Sequence, residues 1–287
     1  MDIKGAYLNG ILKEKVYMRQ PEGYEDGTGW VCELIKTLYG LKQLGREWNK
    51  ELDEKLKKFR FQRLHSDPCV YTKQDGYDLV IITVWVDDLL LFASSDELME
   101  QMKSDLHTEW EVTDLGEPTK IIGVEITQTE NAITISQKVY IESILEHEGL
   151  SGINSVAMPL DPNIKLEPNP DGNKGNRSNS FARLLGELQF LANSTRPNIS
   201  FAVNQLAAYT ANLSLQHVTA LKQMLRYLAG TKDLGITYSK TSDNHNNNSN
   251  IFSGFADAAF ANHDDHRSTS GYVFSAAGGA ITRSKRQ

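Results

Sequence analysis

Between Leu79 and Ala93 runs the longest apolar stretch of the chain, and Asp87 and Asp88 cut it in two. That interruption constrains the fold more than any other feature. Leu79 to Val86 and Leu89 to Ala93 are both rich in strand-forming residues, so the pattern predicts a hairpin with two carboxylates at its tip. The stretch is too short, and too charged at its centre, to cross a bilayer. Burying two adjacent carboxylates without a cation is expensive, so the pair has to face solvent or hold a metal. Taken alone, an Asp-Asp between apolar runs is more often a plain turn.

The segments around the hairpin read as follows. Leu44, Trp48, Leu52, Leu56 and Phe59 recur at helical spacing, which predicts an amphipathic helix over 42–61 with its basic face outward. Ser94 and Glu97 have the spacing of a capping box, and Leu98, Met99, Met102 and Leu106 supply the buried face of the helix behind it. Residues 120–128 and 132–137 read as a strand pair, followed by a helix over 138–148. The stretch 161–180, crowded with Pro, Asn, Gly and Ser, reads as a linker. Phe181 to Leu228 is mainly helical with a break at Arg196-Pro197, and the Asn-rich 241–250 is a loop. Three short strands are expected at 251–258, 271–276 and 280–283.

A chain of 287 residues suggests about two domains, and 40% hydrophobic with 23% charged residues is ordinary for a globular protein with a core. Cys32 and Cys69 are the only cysteines, and no C-x-x-C occurs, which argues against a disulfide framework or a zinc site. Asp2 and Lys4 stand where a signal peptide needs apolar residues. The expectation is an intracellular protein of the cytoplasm or nucleus, neither secreted nor membrane-bound. A formal charge of −7 is unusual for a nucleic-acid binder, but it is unevenly spread. From Lys42 to Arg63 eight basic residues face four acidic ones; from Val86 to Ile126 eleven acidic residues face only Lys103 and Lys120. A basic helix can track a phosphate backbone and an acidic neighbourhood can concentrate divalent cations. On charge alone, two solvated faces are the simpler reading.

Nucleotidyl transfer needs carboxylates converging on two divalent metals, one activating the attacking 3′-hydroxyl and the other stabilising the leaving pyrophosphate. Asp87 and Asp88, at a hairpin tip in an apolar sheet, suit part of such a cluster. Motifs spread over nearly the whole chain point the same way. Met1-Asp2-Ile3-Lys4-Gly5-Ala6-Tyr7-Leu8-Asn9-Gly10 resembles the first catalytic motif of copia-type reverse transcriptases, and Val16-Tyr17-Met18-Arg19-Gln20-Pro21-Glu22-Gly23-Tyr24 the segment that follows it. Leu38-Tyr39-Gly40-Leu41-Lys42-Gln43, with Arg46 and Trp48, resembles the template- and nucleotide-positioning helix, and Val86-Asp87-Asp88-Leu89-Leu90-Leu91 the second catalytic motif. Asp114-Leu115-Gly116 and Gly123-Val124-Glu125-Ile126 are similar to the end of the palm. Thr195-Arg196-Pro197-Asn198-Ile199 and Leu225-Arg226-Tyr227-Leu228 are similar to the connecting region. Asp257-Ala258, Arg267 to Phe274 and Ser284-Lys285-Arg286-Gln287 resemble the start of the RNase H domain. The chain as a whole thus resembles part of a copia-type retrotransposon Pol polyprotein.

That resemblance implies an α+β fold: a reverse-transcriptase palm and thumb-like region over 1–160 without its fingers, a linker over 161–180, a helical connection over 181–250, and an incomplete RNase H-like α/β domain over 251–287. It implies RNA-directed DNA polymerase activity by two-Mg²⁺ chemistry, with Mn²⁺ as a possible substitute, and Asp2, Asp87 and Asp88 as the catalytic, metal-binding set. Tyr7 takes the place of the aromatic that blocks a nucleotide 2′-hydroxyl, with a packing aromatic on a strand as the plain alternative. Gln43 sits where the family contacts template or incoming nucleotide; an exposed helix residue is the equal alternative. Asp257 matches the first RNase H carboxylate, whereas Asp264 and Asp265 read as a solvated turn. The implied partners are an RNA or DNA template with primer, deoxynucleoside triphosphates and other segments of the polyprotein, and no membrane. Three positions depart from the family: Trp85 and Phe181 stand where Tyr is usual, and Thr282-Arg283-Ser284 lacks a preceding Trp. With fingers expected before Met1 and further RNase H carboxylates after Gln287, the isolated chain is expected to be inactive. The alternative is a non-catalytic retrotransposon relic that binds nucleic acid weakly and non-specifically, led by Lys50, Lys55, Lys57 and Lys58.

Overall fold

A computed structural model describes residues 1–161, 163–164, 166–169, 178–240, 252–259 and 268–286. The chain divides into two units, Met1–Pro118 and Thr119–Gln287. The first contains β1 (Asp2–Ile3), a 3₁₀ turn over Ala6–Asn9, β2 (Ile11–Arg19), β3 (Val31–Lys36), α1 (Leu44–Lys58), β4 (Gln62–Arg63), β5 (Val70–Asp75), β6 (Asp78–Trp85), β7 (Asp88–Ala93), α2 (Asp96–Glu109) and β8 (Val112–Thr113). β2 and β3 pair as a separate ribbon; the remaining strands form an antiparallel sheet in the order β4-β5-β6-β7-β1-β8.

Side-chain alternation gives this sheet two unlike faces. Ile3, Tyr71, Val80, Ile82, Leu89 and Val112 are buried on one side, beneath Trp48, Leu52 and Leu56 of α1 and Met102 and Leu106 of α2. The register places Asp2, Trp85, Asp88, Leu90 and Phe92 on the other side. There Trp85 is 53% exposed and Phe92 49%, so this face is open.

Two expectations change in detail. The N-cap of α2 is Ser95 rather than Ser94: the Ser95 hydroxyl accepts the Leu98 amide at 3.3 Å. Ser94 is committed to the sheet instead. Its amide donates to the Leu79 carbonyl at 2.9 Å, and its hydroxyl accepts the Leu79 amide at 3.0 Å. The basic face of α1 is largely neutralised: Lys50 pairs with Glu47 at 2.9 Å, Lys57 with Asp53 at 2.6 Å, and Lys55 with Glu109.

The second unit contains β9 (Lys120–Ile121), β10 (Val124–Gln128), β11 (Ala132–Ser136), α3 (Lys138–His147), α4 (Ser178–Ser194), a 3₁₀ turn over Pro197–Ile199, α5 (Ser200–Ala207), α6 (Leu215–Gly230), β12 (Ile236–Ser239), β13 (Ser253–Ala259), β14 (Thr269–Ala276) and β15 (Gly279–Arg286). One sheet has the order β12-β11-β10-β9, and β13-β14-β15 form an antiparallel meander. β9 to β11 and α3 fall in this unit, where β11 takes β12 as its neighbour with Ile135 opposite Ile236. Ile141, Ile144 and Leu145 of α3 join Leu188, Val203, Leu206 and Met224 in a helical core. No described helix is long and apolar enough to cross a membrane.

The break between α4 and α5 falls at Arg196-Pro197, because proline cannot donate the helical hydrogen bond. Arg196 is only 1% exposed. Its guanidinium donates to the Thr231 carbonyl at 2.9 Å, the Thr231 hydroxyl at 2.7 Å and Asn198 Oδ1 at 3.2 Å, and lies 5.8 Å from the Tyr227 ring centroid. Burial pushes its pKa below the ordinary arginine value. Arg196→Met fills the space but leaves these acceptors unpaired, and is expected to cost about 2–3 kcal/mol. Arg196→Lys should recover only a minor part, since an ammonium cannot fork to two acceptors in a plane. Urea unfolding followed by circular dichroism measures both.

Candidate active site

The site is built where the two-residue strand β1 meets the start of β7. The Ile3 amide donates to the Asp87 carbonyl at 2.9 Å, and the Leu89 amide to the Met1 carbonyl at 2.8 Å. Asp2 and Asp88 face each other between these two bonds. They therefore occupy a non-hydrogen-bonded position of an antiparallel pair, where opposed side chains come closest. Both are half-buried, while Asp87 is exposed at the turn. Partial burial first, then the charges of Asp87 and Asp2, raise the Asp88 pKa above the ordinary carboxylate value; the Met1 ammonium opposes them.

Trp85 pairs with Asp88, so the hairpin loop is the two residues Val86-Asp87. Val86 has φ of 58°, a conformation that a β-branched residue adopts only under strain. Sequence reading identified the hairpin tip but missed the side chain that meets it: Trp48 Nε1 donates to the Val86 carbonyl at 2.8 Å. The only sequence signal was a Trp on the buried face of α1, whose N–H needs an acceptor once buried.

Tyr7 lies in the 3₁₀ turn rather than on a strand, with its ring edge-on to Tyr39 at 5.9 Å. A Cβ on Gly45, in the first turn of α1, would stand 3.9 Å from that ring. Gln43 directly precedes α1, and its carbonyl accepts the Glu47 amide at 3.0 Å. Asp257 belongs to the second unit, exposed on β13 opposite Gly271. Asp264 and Asp265 lie outside the described residues.

Asp2, Asp87 and Asp88 offer only hard oxygen donors, the kind that Mg²⁺ and Mn²⁺ take. Their mutual repulsion is what a divalent cation relieves, so the residues present fit such an ion. Among the described residues, no three His, Cys, Asp or Glu side chains gather closely enough to hold one by themselves. The geometry is thus an opposed pair with a third carboxylate beside it, open on one side to further ligands.

Residues 1–162 match the family described as Reverse transcriptase (RNA-dependent DNA polymerase), and the chain belongs to that family. It is 34% identical over 98% of its length to the retrovirus-related Pol polyprotein from transposon TNT 1-94 of Nicotiana tabacum, and 34% identical over 95% to that from transposon RE1 of Arabidopsis thaliana. It covers 22% and 18% of those two proteins, and so spans about a fifth of their length. It is 30% identical over 100% of its length to the putative transposon Ty5-1 protein of Saccharomyces cerevisiae, covering 92% of it. Within the reverse transcriptase family, its place is among the copia-type retrotransposon Pol polyproteins.

The raised pKa of Asp88 has a consequence for stability. A carboxyl that ionises less readily in the folded chain destabilises the fold above its folded pKa, and that cost is relieved as pH falls through it. Asp88→Asn is therefore expected to stabilise the metal-free chain at pH 7 by about 0.5 kcal/mol, the scale of a cross-strand pair. The advantage should vanish under acid conditions where Asp88 itself is protonated. Urea unfolding midpoints of the two proteins across pH check this.

Proposed function

We propose that this chain carries the palm of an RNA-directed DNA polymerase that extends a primer along an RNA or DNA template. Behind the palm we place a helical connection and the first strands of an RNase H-like sheet. The observation that supports the reading best is Asp2 opposite Asp88 on the open face of a sheet, in a chain of the reverse transcriptase family. Asp2, Asp87 and Asp88 would hold two Mg²⁺ or Mn²⁺ ions, which when bound activate the primer 3′-hydroxyl and stabilise the leaving pyrophosphate. The chain's own side chains orient the reactants. Trp85 and Phe92, exposed on the carboxylate face, offer rings against which the primer end can lie. Tyr7, braced by Tyr39, excludes a 2′-hydroxyl from the incoming nucleotide, and Gln43 contacts template or nucleotide at the start of α1.

Other segments of a Pol polyprotein supply the remaining triphosphate contacts, so the chain by itself extends primers weakly or not at all. In β13 to β15 the one carboxylate is Asp257, too few for a two-metal nuclease, so no hybrid cleavage is assigned to these strands. One observation favours a second reading, a non-catalytic relic: no three described carboxylates converge.

Primer extension separates the two readings. The purified chain, alone and mixed with the Pol segment that precedes the matching region in a copia-type relative, is incubated with primer–template, deoxynucleotides and Mg²⁺. Little extension alone and clear extension in the mixture are expected, with Asp2→Asn or Asp88→Asn lowering the rate by roughly 10³-fold or more. Tyr7→Ala should then admit ribonucleotides. Absence of extension in both formats, with duplex binding retained, favours the relic.

A further inference from the structure

The strained turn is held from outside the sheet. Val86 sits at positive φ, and its carbonyl is met by an indole N–H from a helix, at 2.8 Å. We infer that Trp48 is a positioning residue for the carboxylates: its indole N–H fixes the Val86-Asp87 turn in the conformation that sets Asp88 opposite Asp2. The inference rests on the reading of these aspartates as metal ligands.

Trp48 is itself fixed on several sides. It is 3% exposed, and its ring meets Trp110 edge-on at 5.9 Å and 74°. Trp110 in turn carries the Lys55 ammonium 5.9 Å from its ring centroid. On the backbone side, a Cβ on Gly10 would stand 3.0 Å from the Trp48 nitrogen, so only the bare glycine lets α1 come this close. A tryptophan that merely fills a core needs some acceptor for its N–H, and any nearby carbonyl serves. Here the acceptor belongs to a β-branched residue in a conformation its own side chain opposes, one residue ahead of Asp87. Left unpaired, that carbonyl would favour relaxation of the turn, and relaxation would move Asp87 and Asp88 out of register with Asp2. The bond thus converts a rigid helix position into a fixed carboxylate position, the supporting role that metal ligands generally require.

Trp48→Phe keeps a ring in the core and removes the donor. In the full chain without metal, hydrogen exchange is followed at the Ile3 and Leu89 amides, which bracket the Asp2–Asp88 pair, and at the Leu52 and Leu56 amides within α1. We expect exchange about tenfold faster at the bracket and unchanged in the helix. Adding Val86→Gly removes the strain and should restore protection at the bracket. In parallel, Mn²⁺ affinity read by electron paramagnetic resonance should fall about tenfold in Trp48→Phe and recover when Val86→Gly is combined with it. Should Trp48→Phe fail to fold, β-(3-benzothienyl)alanine at position 48 replaces only the N–H by sulfur and is read in the same way. Unchanged bracket amides would overturn the assignment. So would loss of protection in bracket and helix together without recovery on Val86→Gly, the signature of a packing role. Mn²⁺ binding that survives Asp88→Asn would overturn the metal-ligand reading instead, and the exchange data then decide the role of Trp48 alone.

Discussion

Two like charges opposed across adjacent strands repel, and the open face of the first unit is organised around keeping Asp2 and Asp88 in that arrangement. β1 has only two residues, and so short a strand invites fraying. The sheet prevents it. β1 is inserted between β7 and β8, so it is paired on both edges. Ile3 is completely buried beneath the helices, and the Met1 ammonium donates to the Leu89 carbonyl at 2.8 Å. The Lys4 amide closes the far side on the Glu111 carbonyl at 2.9 Å. Hydrophobic burial on one face thus holds in place an electrostatic liability on the other, a distribution expected where a cation is to be bound rather than where a sheet is merely to be stable.

Much of this was legible in the residue order, and the limits of legibility are physical. The hairpin around Asp87-Asp88 followed from two apolar runs of strand length, and β6 and β7 end within two residues of the runs themselves. α1 followed from helical spacing, with Trp48, Leu52 and Leu56 buried as that spacing requires. Interactions between residues distant in sequence were not legible. β11 pairs with β12 about a hundred positions later, which no local pattern announces. The choice of Ser95 over Ser94 as N-cap depends on Leu79 capturing Ser94, a contact across the hairpin. Local charge left a choice for the same reason. Eight basic residues between Lys42 and Arg63 admitted a phosphate-tracking helix beside the simpler reading of a solvated face, and Glu47, Asp53 and Glu109 claim much of that face. Glu47 shows how far this goes: it is buried, and Lys50 first and then Arg46 hold its carboxyl below the ordinary range.

The β13 to β15 meander follows a different logic. Phe255 faces the same side as its partner Val273, while Tyr272 and Phe274 take the opposite side, so the sheet is apolar on both faces. Sheets of that composition are ordinarily covered twice. Here Phe252, Phe255, Tyr272, Phe274 and Ile281 are exposed. Part of the cost is met locally, because the Phe274 ring lies where a Cβ on Gly254 would stand, at 2.4 Å, and so covers bare backbone. The turn between β14 and β15 and the start of β15 are tied to β12: the Ser239 amide donates to the Ala277 carbonyl at 2.8 Å, and Tyr238 to the Ala280 carbonyl at 2.8 Å. A contiguous stretch of sequence that looks like the start of a separate domain is thereby fastened to the strand at the edge of the β9–β12 sheet.

The spacing of the first motif has a single physical cause. Gly5 at φ of 57° lets the chain leave β1 and enter the 3₁₀ turn at once, which carries Tyr7 from the sheet towards α1. The turn is then locked by Thr37. Its hydroxyl donates to the Tyr7 carbonyl, with the Gly10 carbonyl sharing that proton weakly at 3.3 Å, and its amide donates to the Gly10 carbonyl at 2.9 Å. Gly10 has to lack a side chain because a Cβ there would lie 2.7 Å from the Thr37 hydroxyl and 3.0 Å from the backbone of Trp48. Asp2, Tyr7, Gly10 and Trp48 therefore mark one junction of sheet, turn and helix. Tyr7 cannot sit against the start of α1 unless Gly10 admits the helix, and Trp48 cannot reach the Val86 carbonyl unless the helix is admitted. Residues that look structural in the sequence and residues that look chemical depend on each other through a few ångströms of backbone approach, which is why a glycine belongs to this motif as firmly as its aspartate does.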